Sequence, residues 1–149
     1  MSQKVEFSLQ NQDGEVVNSA DLVGKKYVMF FYPRAMTPGC TKESCDFRDS
    51  YSEFSEAGYE VIGVSPDPPS RNGKFKEKEG LNFDLLSDDN HQLADSLGAW
   101  GEKKLYGKAT EGLIRSTFVV DEAGTLDKAY RNVKATGHVA RVKEDLLGV

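Results

Sequence analysis

Two cysteines, Cys40 and Cys45, are the residues of this 149-residue chain whose type and spacing most clearly indicate chemistry. They are the only cysteines in the sequence and stand five positions apart. A secreted domain held together by disulfides normally carries more cysteines than this. In a reducing compartment, two neighbouring thiols are therefore better explained by reactivity than by architecture.

The residues before Cys40 place its sulfur at the start of a predicted helix. Thr37 is a good N-cap residue, and Pro38 suits the first helical position because it lacks an N–H. Cys40 is then the third helical residue, among backbone N–H groups without intrahelical partners. The positive end of the helix dipole favours the thiolate, which is the nucleophilic form of cysteine. Gly39 leaves the backbone uncrowded, so that a small substrate has access to the same N–H groups.

Cys45 lies on the same predicted helix. In an ideal helix, two residues five positions apart have Cα atoms about 8.6 Å apart and side chains turned about 140° from each other. A disulfide requires Cα atoms within about 7 Å. Cys40 and Cys45 can therefore pair only if the first turns of the helix unwind, and the spacing predicts local unfolding coupled to the redox state.

Alternating strand and helix patterns predict the frame around this segment. A hairpin is predicted over residues 5–17, with its turn at 11–14. Nearly continuous apolar runs predict buried strands over 26–32, 59–64 and 116–120, and an edge strand is predicted over 126–133. Helices are predicted over 38–57, 70–79, 91–97 and 138–147. The alternation indicates one α/β domain over 1–149, with a central, mostly parallel sheet, an antiparallel pair at one side and flanking helices. This mixed arrangement is compatible with a thioredoxin-like fold.

Composition argues against several classes of partner. The formal net charge of −5 disfavours binding to nucleic acid, and the basic cluster at 71–78 is interpreted as a solvated helix face. No apolar stretch approaches the roughly 18 residues needed to span a membrane. The N-terminal residues lack the basic and apolar regions of a secretory signal, so we expect a cytoplasmic protein.

The spacing Pro33-x-x-x-Thr37-x-x-Cys40 resembles the active-site motif of peroxiredoxins. The longer string YPRAMTPGCTKESCDFRD, residues 32–49, is similar to the bacterioferritin comigratory protein or peroxiredoxin Q subfamily in particular. Further matching motifs occur in order along the chain: QDGEVV at 12–17, GVSPD at 63–67, LLSD at 85–88, YGK at 106–108, GLIRSTFVVD at 112–121 and RNVKATGH at 131–138.

This resemblance implies a thiol-dependent peroxidase that reduces hydrogen peroxide and organic hydroperoxides. Cys40 would attack the peroxide and become a sulfenic acid, while Thr37 would hydrogen-bond the peroxide and Pro33 would shield the sulfur from water. Arg115 would stabilise the thiolate and the departing oxygen. Cys45 would resolve the sulfenic acid to an intramolecular disulfide, which a thioredoxin-like donor would reduce. The resemblance favours a monomer, and this chemistry requires no metal or organic cofactor.

Taken alone, the residues leave alternatives open. Cys40 could be a small buried apolar residue, and Cys45 an incidental thiol. Arg48, on the same predicted helix, competes with Arg115 as the cation near the sulfur.

The two histidines, His91 and His138, are predicted to be surface or capping residues. A zinc site formed by both histidines and both cysteines is disfavoured, because their spacing does not match familiar zinc patterns. Two other functions compete with the peroxidase: a general thiol–disulfide oxidoreductase, which usually carries a C-x-x-C pair, and a redox-sensing binding protein.

Overall fold

The computed structural model describes residues 4–105, 108–134 and 137–148. Its strands are β1 (Ser8–Gln10), β2 (Val16–Asn18), β3 (Lys26–Phe31), β4 (Tyr59–Ser65), β5 (Asp84–Ser87), β6 (Trp100–Leu105), β7 (Lys108–Leu113), β8 (Ser116–Val120) and β9 (Leu126–Tyr130). Its helices are α1 (Pro38–Glu56), α2 (Pro69–Glu79), α3 (Gln92–Leu97) and α4 (His138–Leu147), and a 3-10 turn covers Ser19–Leu22. Within the motifs YGK and RNVKATGH, positions 106, 107, 135 and 136 lie outside the described residues.

Seven strands form one mixed sheet in the order β2-β1-β5-β4-β3-β8-β9. The central neighbours β3, β4 and β5 are parallel, whereas β1–β2, β1–β5, β3–β8 and β8–β9 are antiparallel. The predicted mixed sheet with flanking helices is confirmed. Parallel pairing is confined to the centre, however, and is less extensive than expected, because short turns join β1 to β2 and β8 to β9 and such turns connect antiparallel strands.

Strand β3 divides the core between the two faces of the sheet. Val28 and Phe30 belong to a cluster that includes residues of α1, α2 and α4. Met29 and Phe31 belong to a second cluster that includes residues of α3. Because successive side chains of a strand point to opposite faces, a strand buried on both sides must be apolar throughout. Helix α1 is fastened to the first face by Phe47, whose ring stacks on Phe30 with centroids 4.6 Å apart.

The helices lie close to their predicted positions, since Pro and Gly mark their ends. Helix α1 ends before Gly58, which has φ +88°, and α2 ends at Gly80, with φ +60°. Two features were not predicted: the four-residue strand β5 and the β6–β7 hairpin. Strand β5 is too short to show periodicity, and WGEKKL and KATEGL carry too few apolar residues to signal strands. None of the described helices has the length and apolar character needed to cross a membrane.

Candidate active site

A short loop connects the end of β3 to the start of α1. Tyr32 continues the pairing of the strand, since its N–H donates to the carbonyl of Val64 at 3.0 Å. Its buried phenol donates to Oδ1 of Asn72 at 2.6 Å, which satisfies a hydroxyl that has no access to water. The chain then passes through half-buried Pro33 and enters α1, in whose first turn Cys40 is buried.

The loop between β3 and α1 is clamped by residues that follow β4. The N–H of Ala35 donates to Oδ2 of Asp67 at 2.6 Å, and Nη2 of Arg71 donates to the Ala35 carbonyl at 3.0 Å. Asp67 and Arg71 also form an ion pair at 3.3 Å. The clamp holds a loop in which Met36 adopts φ +64°, a left-handed conformation that costs a non-glycine residue free energy. Arg71, assigned to a solvated face from the sequence, therefore contacts the loop before Cys40.

Arg115 is the cation that the structure brings to Cys40. Its Nη2 donates to the sulfur at 3.2 Å, and its Nη1 donates to Oε1 of Glu43 at 2.6 Å. Cys40 and Glu43 are three positions apart on α1, so that they share a helix face and one guanidinium reaches both. The Arg115 side chain is 15% exposed and that of Glu43 is fully buried. Hydrogen bonds from a charged donor are the stronger kind, and they stabilise an anionic sulfur.

Arg48 lies elsewhere. Its Nη1 donates to the carbonyl of Glu79 at 2.6 Å, and it forms an ion pair with Asp49 at 3.0 Å. Its electrostatic influence falls on half-buried Cys45: burial raises the pKa of the Cys45 thiol, and Arg48 opposes that shift. While α1 is intact, Cys45 is thus held in its protonated form.

Thr37 occupies the N-cap position of α1, but its hydroxyl does not cap the helix. The hydroxyl instead donates to the carbonyl of Arg34 at 2.8 Å. The predicted side-chain cap is therefore absent. The oxygen of Thr37 keeps its lone pairs, and these can accept a hydrogen bond from a substrate.

His138 is buried, and its prediction as a surface or capping residue is wrong. It is the first residue of α4, after the N-cap Gly137, and its Nε2 lies 2.7 Å from Oγ1 of Thr117 on β8. The same nitrogen lies 3.9 Å from Oε2 of Glu43. Sequence reasoning missed Glu43 and Thr117 as well, although the motifs around Cys40 and Arg115 contain both.

Burial inverts the usual order of the Glu43 and His138 pKa values. Desolvation raises the pKa of Glu43 from 4.5 to about 7, although Arg115 acts in the opposite direction. Desolvation, together with Arg115 and Arg141, lowers the pKa of His138 from 6.5 to about 4. At pH 6 the proton therefore lies on the carboxyl group, and the 3.9 Å approach joins two neutral groups.

His91 forms a separate contact on the other side of the sheet. Its Nδ1 lies 2.7 Å from Oδ2 of Asp95, and its ring stacks on Trp100 with centroids 3.8 Å apart. Among the described residues, which include both histidines and both cysteines, no group of three or more side chains is arranged to hold a metal ion.

We predict that the stability of Glu43→Gln depends on pH over a range in which the Glu43–His138 pair of the wild type contributes no pH dependence. Between pH 4.5 and 6.5 the pair holds one proton in the folded and in the unfolded protein. In the unfolded protein the proton is on His138, and in the folded protein it is on Glu43. In Glu43→Gln, folding must expel the proton of His138. The free energy of unfolding should then rise with pH relative to wild type, by up to about 1.4 kcal/mol per pH unit, and the difference should level off above about pH 7.

Urea denaturation of both proteins from pH 4.5 to 7.5 measures this difference. Glu53→Gln is a matched control, because Glu53 lies on the same helix with a side chain that is 46% exposed and forms an ion pair with Lys143. Its curve should run parallel to that of wild type. Parallel curves for Glu43→Gln and wild type would contradict the inverted order of pKa values.

The chain matches the sequence model of the AhpC/TSA family over residues 2–129. It is 48% identical to peroxiredoxin Bcp of Bacillus subtilis over 141 residues, which cover 95% of this chain and 90% of that protein. It is 45% identical to peroxiredoxin Bcp of Escherichia coli over 132 residues, which cover 89% and 85%.

Solved structures agree with the sequence relatives. The bacterioferritin comigratory protein of Xanthomonas campestris, described for its alkyl peroxide reduction, superimposes with a TM-score of 0.89 at 34% identity, covering 95% of this chain and 90% of that one. A cysteine-to-serine mutant of Xylella fastidiosa PrxQ superimposes with a TM-score of 0.91 at 27% identity, covering 99% and 95%. These neighbours confirm the thioredoxin-like fold. By sequence and by fold, the chain belongs to the AhpC/TSA family and, within it, to the peroxiredoxins of the Bcp or peroxiredoxin Q type.

Proposed function

We propose that Cys40 is the nucleophile with which this peroxiredoxin reduces hydrogen peroxide and organic hydroperoxides. The observation that carries the proposal is the 3.2 Å contact between Nη2 of Arg115 and the sulfur in the first turn of α1. The helix N-terminus and the guanidinium both favour the thiolate. The thiolate attacks the terminal peroxide oxygen, the O–O bond breaks, and the sulfur becomes a sulfenic acid. The departing oxygen leaves as an anion and takes a proton from water, which gives water or an alcohol.

Arg115 can stabilise negative charge on both the attacking sulfur and the departing oxygen. Negative charge moves from the sulfur to the departing oxygen as the O–O bond breaks. A guanidinium presents several N–H donors in a rigid plane, so that the group beside the sulfur can also stabilise the developing oxyanion. Its second bond, to the fully buried carboxyl group of Glu43, holds the plane in place before substrate arrives.

Thr37 and Pro33 complete the proposed pocket. The hydroxyl proton of Thr37 is committed to the Arg34 carbonyl, so that its oxygen is available to accept a hydrogen bond from the peroxide O–H. Pro33 is half-buried in the same loop and has no N–H to attract water. We assign it to shielding the sulfur.

Cys45 resolves the sulfenic acid in this proposal. Its thiolate displaces hydroxide from the Cys40 sulfur, forming the disulfide and, after proton transfer, water. The helix forbids this reaction while it is intact, by the separation of the two residues and by the raised pKa of the Cys45 thiol. Unwinding removes both obstacles, because it shortens the distance and exposes Cys45 to water. A dithiol donor of the thioredoxin type then reduces the disulfide and is itself oxidised.

We also propose that residues 1–149 form one domain and act as a cytoplasmic monomer. Helix α4 lies beyond the part matched by the family model, yet it packs on α1 through the ion pair of Lys143 with Glu53 and contacts β8 through His138. The resolving thiol lies on the same chain as Cys40, so that the cycle has no chemical need for a second subunit. A chain with two cysteines, too few for a disulfide-rich secreted domain, suits a reducing compartment.

We predict that Cys40→Ser abolishes peroxide consumption with thioredoxin, thioredoxin reductase and NADPH. Cys45→Ser should consume about one equivalent of peroxide and then stop, because its sulfenic acid forms but is not resolved. Full activity of Cys40→Ser would refute the assignment of the nucleophile. Normal cycling of Cys45→Ser would mean that the donor attacks the sulfenic acid directly. Rapid reduction of insulin disulfides with little peroxide turnover would instead indicate a general oxidoreductase.

We predict that oxidation accelerates amide hydrogen exchange across residues 37–48. The disulfide cannot form within the intact helix, so the N–H groups of the first turns must lose their hydrogen bonds. Exchange measured by mass spectrometry on reduced and oxidised protein tests this expectation, with Cys45→Ser as the control that cannot form the bond. Residues 59–65, in the buried strand β4, should be equally protected in both states. Equally slow exchange over 37–48 in both states would refute the unwinding.

We predict that Asp67→Ala lowers kcat/KM for peroxide about tenfold, since a hydrogen bond to a charged group contributes roughly 1.5 kcal/mol. The change removes the acceptor of the Ala35 N–H and the ion-pair partner of Arg71, so the loop before Cys40 loses its clamp. Asp89→Ala is the control, because Asp89 is exposed in a turn. An unchanged kcat/KM in Asp67→Ala would show that the loop does not need the clamp.

A further inference from the structure

Glu43 and His138 form a buried titratable pair behind Arg115, and no proton of this pair takes part in the steps above. We propose that the two residues share a single proton and that this proton determines how strongly the charge of Arg115 acts on Cys40. His138 is then a positioning residue for peroxide reduction, acting through Glu43 and Arg115. The inference rests on the proposed function of Cys40 and concerns the control of its reactivity.

The contacts of the Glu43 carboxyl group favour a proton on one of its two oxygens, Oε2. Its Oε1 accepts from Arg115, whereas its Oε2 is fully buried and receives no hydrogen bond from any described residue. A buried carboxylate oxygen without a donor is costly, and a proton on Oε2 removes that cost. The titratable nitrogen facing Oε2 is Nε2 of His138, at 3.9 Å. A shift of about 1 Å brings the two atoms to hydrogen-bond distance, with Oε2 taking the place of Thr117 Oγ1, which lies 2.7 Å from the same nitrogen.

The charge of the cluster depends on the number of protons and not on their location. With one shared proton, the pair is neutral overall whether Glu43 or His138 holds it, and together with Arg115 it carries a charge of +1. Without the proton the pair carries a charge of −1, which offsets the positive charge of Arg115. Cys40 lies 3.2 Å from Arg115 in the same buried site, where electrostatic interactions are strong.

The other groups around the pair place the proton mainly on Glu43. Arg115, from the loop before β8, and Arg141, on α4, both disfavour a charged imidazole, and Asp46 on α1 disfavours a charged carboxyl group. From β9, the Tyr130 ring meets the His138 ring edge to face, with centroids 5.8 Å apart. From β8, the Thr117 hydroxyl lies 2.7 Å from Nε2. Burial raises the pKa of Glu43 to about 7, so the pair loses its proton near neutral pH.

This arrangement gives the rate of peroxide attack a pH limb. The limb is a falling one: the rate decreases as the pair loses its proton, because the negative charge that remains on the pair offsets the positive charge of Arg115. In Glu43→Gln the falling limb should disappear, because an amide keeps the oxygen that accepts from Arg115 but does not titrate. In His138→Gln the limb should move to lower pH, because the proton on Oε2 of Glu43 loses the ring nitrogen that faces it as an acceptor. We expect the rate at pH 8 to fall about threefold while the rate at pH 6 is unchanged.

The experiment measures the second-order rate constant for oxidation of Cys40 by hydrogen peroxide, in single turnover, from pH 5 to pH 9. All variants carry Cys45→Ser, so that resolution does not contribute. Glu53→Gln and His91→Gln are matched controls, since both side chains lie outside the cluster and are more than a third exposed; their profiles should follow that of the parent. A falling limb that persists in Glu43→Gln would overturn the proposal. So would a His138→Gln profile lowered equally at every pH, since that indicates a merely structural role.

A second measurement follows the proton directly and does not depend on turnover. The ¹³C carboxyl resonance of Glu43 in the reduced protein, assigned through its bonds to the backbone of the same residue, should titrate near neutral pH and shift to lower pH in His138→Gln. A midpoint below about 5, close to that of a free glutamate, would overturn the proposal even if the variants fail to fold. If Cys40→Ser consumes peroxide normally, the proposed function fails, whereas this titration still reports on the pair.

Discussion

The contact of one guanidinium with both Cys40 and Glu43 is the interaction on which the site depends. Arg115 is carried into place by the turn between β7 and β8, and the two groups that it binds lie on one face of α1 only while the first turn is helical. The sulfur, its cation and the buried carboxyl group are therefore assembled by the same local fold. Uncoiling this turn moves Cys40 and Glu43 away from Arg115 together, so that the pocket and the helix exist or disappear as one unit.

The proposed disulfide requires this turn to unwind, and the two ends of α1 differ in a way that allows it. The N-terminal end lacks the usual local stabilisation of a helix start: Thr37 provides no side-chain cap, no acidic residue stands in the first turn, and the preceding Met36 is in a left-handed conformation. Beyond Cys45 the helix is anchored by Phe47 and Phe54, which are fully buried in the core. Burial of each ring contributes about 2 kcal/mol or more. Unwinding from the N-terminus can thus include Cys45 and stop at Phe47.

The sequence was informative wherever the determining interaction is local. Apolar runs located β3, β4 and β8, proline and glycine located the helix ends, and the spacing before Cys40 placed it in the first turn of a helix. The polar network of the site joins residues distant in sequence: Arg115 is 75 positions from Cys40, and His138 is 21 positions from Thr117. No periodicity records such pairs, so Arg48 and Arg115 could not be distinguished from the residues alone. A buried histidine also has the same local pattern as a capping one.

Burying Arg115, Glu43 and His138 together costs free energy, since ionised groups lose their hydration. Placing the proton on Glu43 leaves one net charge in the closed pocket, and a Cys40 thiolate compensates it. When α1 unwinds, Glu43 and Cys40 depart with it, whereas Arg115 and His138 remain attached to the sheet and to α4. Arg115 is then left without either of its partners. The open form is tolerated only while the disulfide holds it, because reduction restores two acceptors for the same guanidinium. In the proposed cycle, the network around the sulfur therefore also favours refolding of the helix once the disulfide is reduced.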